Sequence, residues 1–177
     1  MSRGTQVTPA ARAQPVDPTG ASAWDRWLDV VGLLARLALG TLFIVAGALK
    51  VGHPLTSARA VQAYDVLPFD LAGLIGQVLP FIEIVLGVLL VLGLFTRFSA
   101  AAISILLVLF IAGIAQAWAR GLSIDCGCFG GGGAVAPGQT EYPQRILEDL
   151  GMLALGVYLT VRPRSVAGLD RRLFGAT

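Results

Sequence analysis

The stretch Leu71–Trp118, LAGLIGQVLPFIEIVLGVLLVLGLFTRFSAAAISILLVLFIAGIAQAW, holds two long apolar runs broken at Thr96-Arg97. A helix crosses a hydrocarbon core about 30 Å thick with about 20 apolar residues. The runs therefore predict spans over about 71–95 and 98–118, joined by a hinge so short that they must form an antiparallel hairpin. Outward toward the N-terminus, LDVVGLLARLALGTLFIVAGAL at 28–49 supplies another span. Trp24 and Trp27 precede it as interfacial aromatics, and Lys50 with Gly52-His53-Pro54 closes it. The segment Leu55–Phe69 mixes apolar and polar residues and reads as a short interfacial helix ended by Leu67-Pro68. Outward toward the C-terminus, residues 144–161 make a fourth, shorter span that stops at Arg162-Pro163-Arg164.

The expected fold is all-α, an integral membrane four-helix bundle with a short interfacial helix after the first span. A Gly-rich cysteine loop, Gly121–Pro143, joins spans three and four, where the run Gly130–Gly133 excludes regular helix. Residues 1–27 read as a disordered cytoplasmic tail without the apolar core of a signal peptide, 28–162 as the transmembrane domain and 163–177 as a basic cytoplasmic tail. Composition agrees: 55% of the 177 residues are hydrophobic and 14% charged, outside the usual range for a soluble domain, so the lipid bilayer is the expected solvent. A net charge of +2, without a basic patch interleaved with aromatics, argues against nucleic-acid binding. Twelve of the thirteen basic residues are Arg, which with the Ala, Gly and Val bias fits a GC-rich bacterial genome.

Orientation follows from the basic residues. Arg3, Arg12, Arg26, Arg97, Arg162, Arg164, Arg171 and Arg172 share one side of a four-span chain, against Lys50, Arg59, Arg120 and Arg145 on the other. The positive-inside rule then predicts a bacterial cytoplasmic membrane protein with cytoplasmic termini and an extracytoplasmic cysteine loop, where disulfides persist.

The only two cysteines form Cys126-Gly127-Cys128. A disulfide across one residue closes a very small ring, which Gly127 is best able to accommodate, and the strain raises its tendency to pass the disulfide to another thiol. Cys126 and Cys128 are thus the expected catalytic pair, with Cys126 facing a partner. The rival reading makes them apolar fillers, but fillers belong in spans, whereas these lie in a polar loop beside Asp125. A structural zinc site takes about four Cys or His ligands, and two Cys and one His, His53, do not supply them; no metal is expected.

Charged residues inside the spans are the remaining candidates. Arg36 and Glu83, placed at similar depth, are expected to pair, either fixing helix registry or binding a polar headgroup. Arg145 and Asp149 stand at an i,i+4 spacing beneath the loop, with Glu148 beside them and Lys50 able to join. They read as an ion-pair cluster, or as a place where Asp149 or Glu148 exchanges protons with the thiols.

Arg36-(x3)-Gly40-(x2)-Phe43-(x2)-Ala46-Gly47-(x2)-Lys50, Ala63-Tyr64-(x2)-Leu67-Pro68 and Pro80-(x2)-Glu83-(x3)-Gly87 together resemble the DoxX-like four-helix membrane proteins. Asp125-Cys126-Gly127-Cys128-Phe129-Gly130 is similar to the methylamine-utilisation protein E (MauE) branch of that group. The resemblance implies a multi-pass protein associated with disulfide formation in exported proteins, often alongside a thioredoxin-like extracytoplasmic partner. It also implies a helical arrangement similar to the quinone-linked disulfide-generating enzymes of the DsbB and vitamin K epoxide reductase kind. Those carry a second cysteine pair that this chain lacks, so a relay needs a quinone beneath Cys126 and Cys128 or a partner's cysteines. The leading expectation is a membrane thiol–disulfide oxidoreductase. The alternatives are a non-catalytic membrane anchor or assembly factor, and a quinone-reducing subunit of a sulfur-compound oxidoreductase.

Overall fold

The structure, a computed structural model, describes residues 23–127, 131–136 and 138–162. Five helices and one two-stranded ladder follow in order: α1 (Ala23–Val51), α2 (Pro54–Gln62), α3 (Phe69–Leu92), α4 (Thr96–Ala119), β1 (Ile124–Asp125), β2 (Gly133–Ala134) and α5 (Tyr142–Val161). Of the tails expected at 1–27 and 163–177 only residues 23–27 are described, and they are helical, the start of α1 rather than a disordered tail.

The four long helices form a ring in which α1 packs on α3 and α5, and α4 packs on the same two. Glycines set the closest approach, between α1 and α3. A methyl group at Gly40 would lie 2.9 Å from the Gly87 carbonyl oxygen, and one at Gly47 would lie 2.6 Å from that of Pro80. Without side chains at these crossings the two backbones meet directly, the packing that small residues allow between helices in lipid. The glycines of α1 and α3 are therefore used within the chain. Inside the ring, Leu39, Phe43, Leu90, Ile103, Leu107 and Leu159 form the core. The Tyr158 hydroxyl ties α5 to α1 by donating to the Leu28 carbonyl at 3.1 Å.

Among the described residues three helices are long and apolar enough to cross a membrane: α1 over Trp27–Val51, α3 and α4. Large apolar side chains such as Leu34, Val45, Leu74, Val85, Ile105 and Leu109 point outward along them. Faces of that extent are covered by lipid tails rather than water. The chain is a multi-pass membrane protein. α5, with Arg145, Glu148 and Asp149 in its first half, is not among those three helices.

Two boundaries differ from the sequence expectation. The α3–α4 turn is Gly93–Leu94–Phe95 rather than Thr96-Arg97, because Gly93 (φ 68°) and Phe95 (φ 49°) take left-handed backbone conformations, and Thr96 already belongs to α4. The short helix expected over Leu55–Phe69 runs from Pro54 only to Gln62, since the chain turns at Asp65 (φ 50°) before reaching Leu67-Pro68. α2 packs on α3, where a methyl at Gly76 would meet the backbone of Ser57 and Ala58.

Candidate functional site

The ends of α1, α3, α4 and α5 that meet at the cysteine loop carry two neighbouring arrangements. The outer one is the loop itself. β1 and β2 pair antiparallel, with Ile124 opposite Ala134 and Asp125 opposite Gly133, so the segment expected to be wholly irregular contains a short ladder. The Val135 amide donates to the Ser123 carbonyl at 2.9 Å and extends it by one bond.

Two tyrosines hold this platform to the helices. The Tyr142 hydroxyl donates to the Leu122 carbonyl and accepts from the Ile124 amide at 3.1 Å. The Tyr64 hydroxyl donates to the Cys126 carbonyl at 3.2 Å. Tyr64 is itself positioned by Arg120, whose guanidinium donates to the carbonyls of Tyr64 and Asp65 and pairs with the Asp65 carboxylate at 2.9 Å. Beneath lie Ile114, Ala117, Ile124 and Tyr142, with Cys126 packed against them. Gly127 takes φ +71°, a conformation glycine adopts freely, and it sits against Ala60 of α2.

Cys126 is half-buried and lines a cavity of about 190 Å³ together with Asp125, Gln139, Glu141, Tyr142 and Arg145. Arg145 is close enough to interact electrostatically with Cys126. Its guanidinium pairs with Glu148 at 3.0 Å and Glu141 at 3.3 Å. The expected Arg145–Asp149 pair is therefore absent: Glu141 and Glu148 engage the guanidinium, and Asp149 turns into the helix ring at 2% exposure. Glu148 accepts from Gln144 and Arg145 and does not line the cysteine cavity. Cys128 lies outside the described residues.

The inner arrangement is ionic. The Lys50 ammonium lies 2.8 Å and 2.9 Å from the two carboxylate oxygens of Glu83, and both residues are buried. This corrects the expected Arg36–Glu83 pair, and the reason is helix register. Gly40 crosses Gly87; Arg36 is one turn from that crossing in one direction and, because α1 and α3 are antiparallel, Glu83 is one turn away in the other. They stand about 12 Å apart along the axis. Lys50 reaches Glu83 because side chains tilt toward the N-terminus of their own helix, so residues on antiparallel helices lean toward each other. Arg36 is buried elsewhere on α1, at 2% exposure.

Asp149 faces the same inner cavity as Lys50 and Glu83, a space of about 20 Å³ also bounded by Phe43, Phe110 and Met152. Lys50 lies 6.0 Å from the centre of the Phe110 ring. His53 precedes the first turn of α2, where its carbonyl accepts from the Ser57 amide. Among the described residues no group of three or more His, Cys, Asp or Glu could hold a metal ion.

As the described residues bound them, neither of these two cavities offers an apolar, ring-sized interior. The inner one has room for about one water molecule. The outer one is ring-sized but edged by Asp125, Glu141, Gln139 and Arg145, whereas sites for apolar cofactors are mostly apolar.

Tyr64, Tyr142 and Phe110 carry no sequence signal of a site, although Ala63-Tyr64 lies in the pattern shared with the DoxX-like group.

No solved structure matches the chain. A protein of Paracoccus denitrificans described as methylamine utilization protein MauE is 35% identical over 98 residues, 55% of this chain and 53% of that protein. The chain thus spans about half the length of the curated relative it matches. The sequence profile of the family described as methylamine utilisation protein MauE matches residues 28–162, all the described helices but the start of α1, and the chain belongs to that family.

Proposed function

We propose that this chain is a membrane thiol–disulfide oxidoreductase whose Cys126–Cys128 pair oxidises an exported thioredoxin-like protein. The observation that carries the reading is Cys126 in the wall of a polar cavity of about 190 Å³, beside Arg145, on a platform fixed by Tyr64 and Tyr142. A cation beside a cysteine favours the thiolate, the form that attacks and leaves in exchange. The cavity has room for a side chain flanking the incoming cysteine, and its Asp125, Glu141 and Arg145 suit a polar peptide. In this reading α5 is the fourth membrane crossing, the termini are cytoplasmic and the cysteine loop is extracytoplasmic, as the distribution of Arg and Lys supports. The family description and the Paracoccus relative name methylamine utilisation, and the client is proposed to be an exported protein of that process.

The exchange balances as follows. A partner thiolate attacks the Cys126 sulfur, the Cys126–Cys128 bond breaks and a mixed disulfide forms. The partner's second thiolate then displaces Cys126, so the partner leaves oxidised and this chain keeps the dithiol. Two electrons and two protons have moved to the chain. Restoring its disulfide requires a two-electron acceptor, proposed here as the disulfide of a second protein. Since neither of these two cavities offers an apolar, ring-sized interior, no step is routed through a quinone.

Trapping tests the proposal. A Cys128→Ser variant should accumulate a mixed disulfide through Cys126, identifiable by mass spectrometry of the attached protein. Either Cys→Ser variant should lose disulfide transfer while inserting normally. Full transfer in both variants, or cysteines that hold one redox state throughout, would sink the enzyme and leave the membrane anchor.

A further inference from the structure

Two carboxylates and one ammonium surround the inner cavity. Lys50 and Glu83, at 2.8 Å and 2.9 Å, neutralise one another. Asp149 enters from α5 at 2% exposure, and its Oδ2 has no hydrogen-bond partner among the described residues. α4 contributes only Leu107 and Phe110 to the walls. Arg145, one turn away on α5, is engaged by Glu141 and Glu148. With every group ionised the trio carries one net negative charge among apolar walls, a placement that costs several kcal/mol at membrane depth. Arg145 attracts Asp149 from one turn away but does not line the cavity, so a single bound charge of +1 would match the lining.

The space excludes most occupants. Calcium and magnesium take about six or more oxygen ligands, and a single carboxylate oxygen without a partner does not supply them. At about 20 Å³ the cavity holds about one water. We propose that Lys50, Glu83 and Asp149 form a proton-binding site, in which one exchangeable proton and one water are held between the Asp149 and Glu83 carboxyl groups. The proton arrives from solvent as H⁺, an O–H bond forms on a carboxylate, and the same bond breaks on release; no electrons move. Arg145 in the wall of the cysteine cavity is one turn along α5 from Asp149, so the site lies beside the place where thiols would gain and lose protons. The proton site does not rest on the redox reading of those thiols.

Infrared difference spectroscopy of the full chain in lipid vesicles, taken across pH, tests it. A protonated-carboxyl band is expected in the native protein, with a shift in D₂O because the proton exchanges. It should vanish in Asp149→Asn and persist in Cys126→Ser, while Glu148→Gln, which frees Arg145 one turn from Asp149, should shift its pH dependence without abolishing it. Should Asp149→Asn fail to insert, ¹³C labelling of all Asp or all Glu in the native protein assigns the band without a variant. No such band, a band that moves with neither label, or a band displaced by sodium at constant pH would each overturn the proposal.

Discussion

The buried ionic trio and the cysteine platform are neighbours built by opposite means. In the trio, charges are held inside the helix ring by helix packing: Gly47 against Pro80 brings α1 to α3, and Lys50 meets Glu83 as a consequence. In the platform, two hydroxyls donate to the backbone carbonyls that flank the first strand of a short ladder, and the charged Arg120–Asp65 pair lies outside in an exposed position. The contrast teaches where each region is vulnerable. Charge removal should break the trio and leave the platform, whereas hydroxyl removal should loosen the platform and leave the helices.

The largest expected effect belongs to Lys50→Met. It leaves Glu83 buried without its partner and Asp149 beside it, and stranding one member of a buried pair costs about 3–5 kcal/mol. Unfolding in graded denaturing detergent should report that loss. Lys50→Met combined with Glu83→Gln, which removes both charges, should recover most of it. If the single variant is as stable as the native chain, the trio is not held by charge and the contrast fails.

Next is the contact that sets the register. A methyl at Gly47 would sit 2.6 Å from the Pro80 carbonyl oxygen and 2.7 Å from an Ile84 side-chain carbon, so Gly47→Ala must push α1 from α3. Overpacking of this kind costs about 1–3 kcal/mol. Gly151→Ala on α5 is the control: nothing lies within 4 Å of its new methyl, and alanine's helix propensity should make it neutral or stabilising by up to about 1 kcal/mol. The same detergent titration separates the two.

How far these regions were legible in the sequence differs for the same physical reason. Apolar length marks α1, α3 and α4 without any knowledge of neighbours, and Cys126-Gly127-Cys128 marks the loop. Depth along a single span, however, does not give the register between spans, which depends on where glycines let backbones touch; this is why Arg36 rather than Lys50 looked like the partner of Glu83. The i,i+4 rule likewise matched Arg145 with Asp149, although Glu141 and Glu148 were equally in reach and Asp149 is drawn inward by the ring. Tyr64 is 62 residues from Cys126, and Tyr142 is 20 from Leu122. Bonds of that span leave no local pattern, and two-residue strands have no periodicity to read.

On the platform, Tyr142→Phe should strand the Ile124 amide and the Leu122 carbonyl, at about 1–3 kcal/mol for unmade buried bonds. The loss should be local. Alkylation of Cys126 should accelerate while the detergent midpoint changes little, because loop opening need not unfold the helices. A global shift as large as that of Lys50→Met would erase the distinction between the regions.

The smallest effect is expected at the rim. The side chains of Arg120 and Asp65 are 42% and 79% exposed, and pairs of that kind are worth about 0.2–1 kcal/mol and weaken with salt. Asp65 also turns the chain at φ 50°, a left-handed conformation that Asn tolerates and Ala does not. Asp65→Asn should therefore raise the Cys126 alkylation rate slightly, and only at low salt, since Arg120 keeps its bonds to the Tyr64 and Asp65 carbonyls. Asp65→Ala should raise it further and at every salt concentration, because the turn that presents Tyr64 to the Cys126 carbonyl is then strained. Equal effects from the two substitutions would mean that charge, not backbone conformation, positions Tyr64, and the platform would then resemble the trio more than it differs from it.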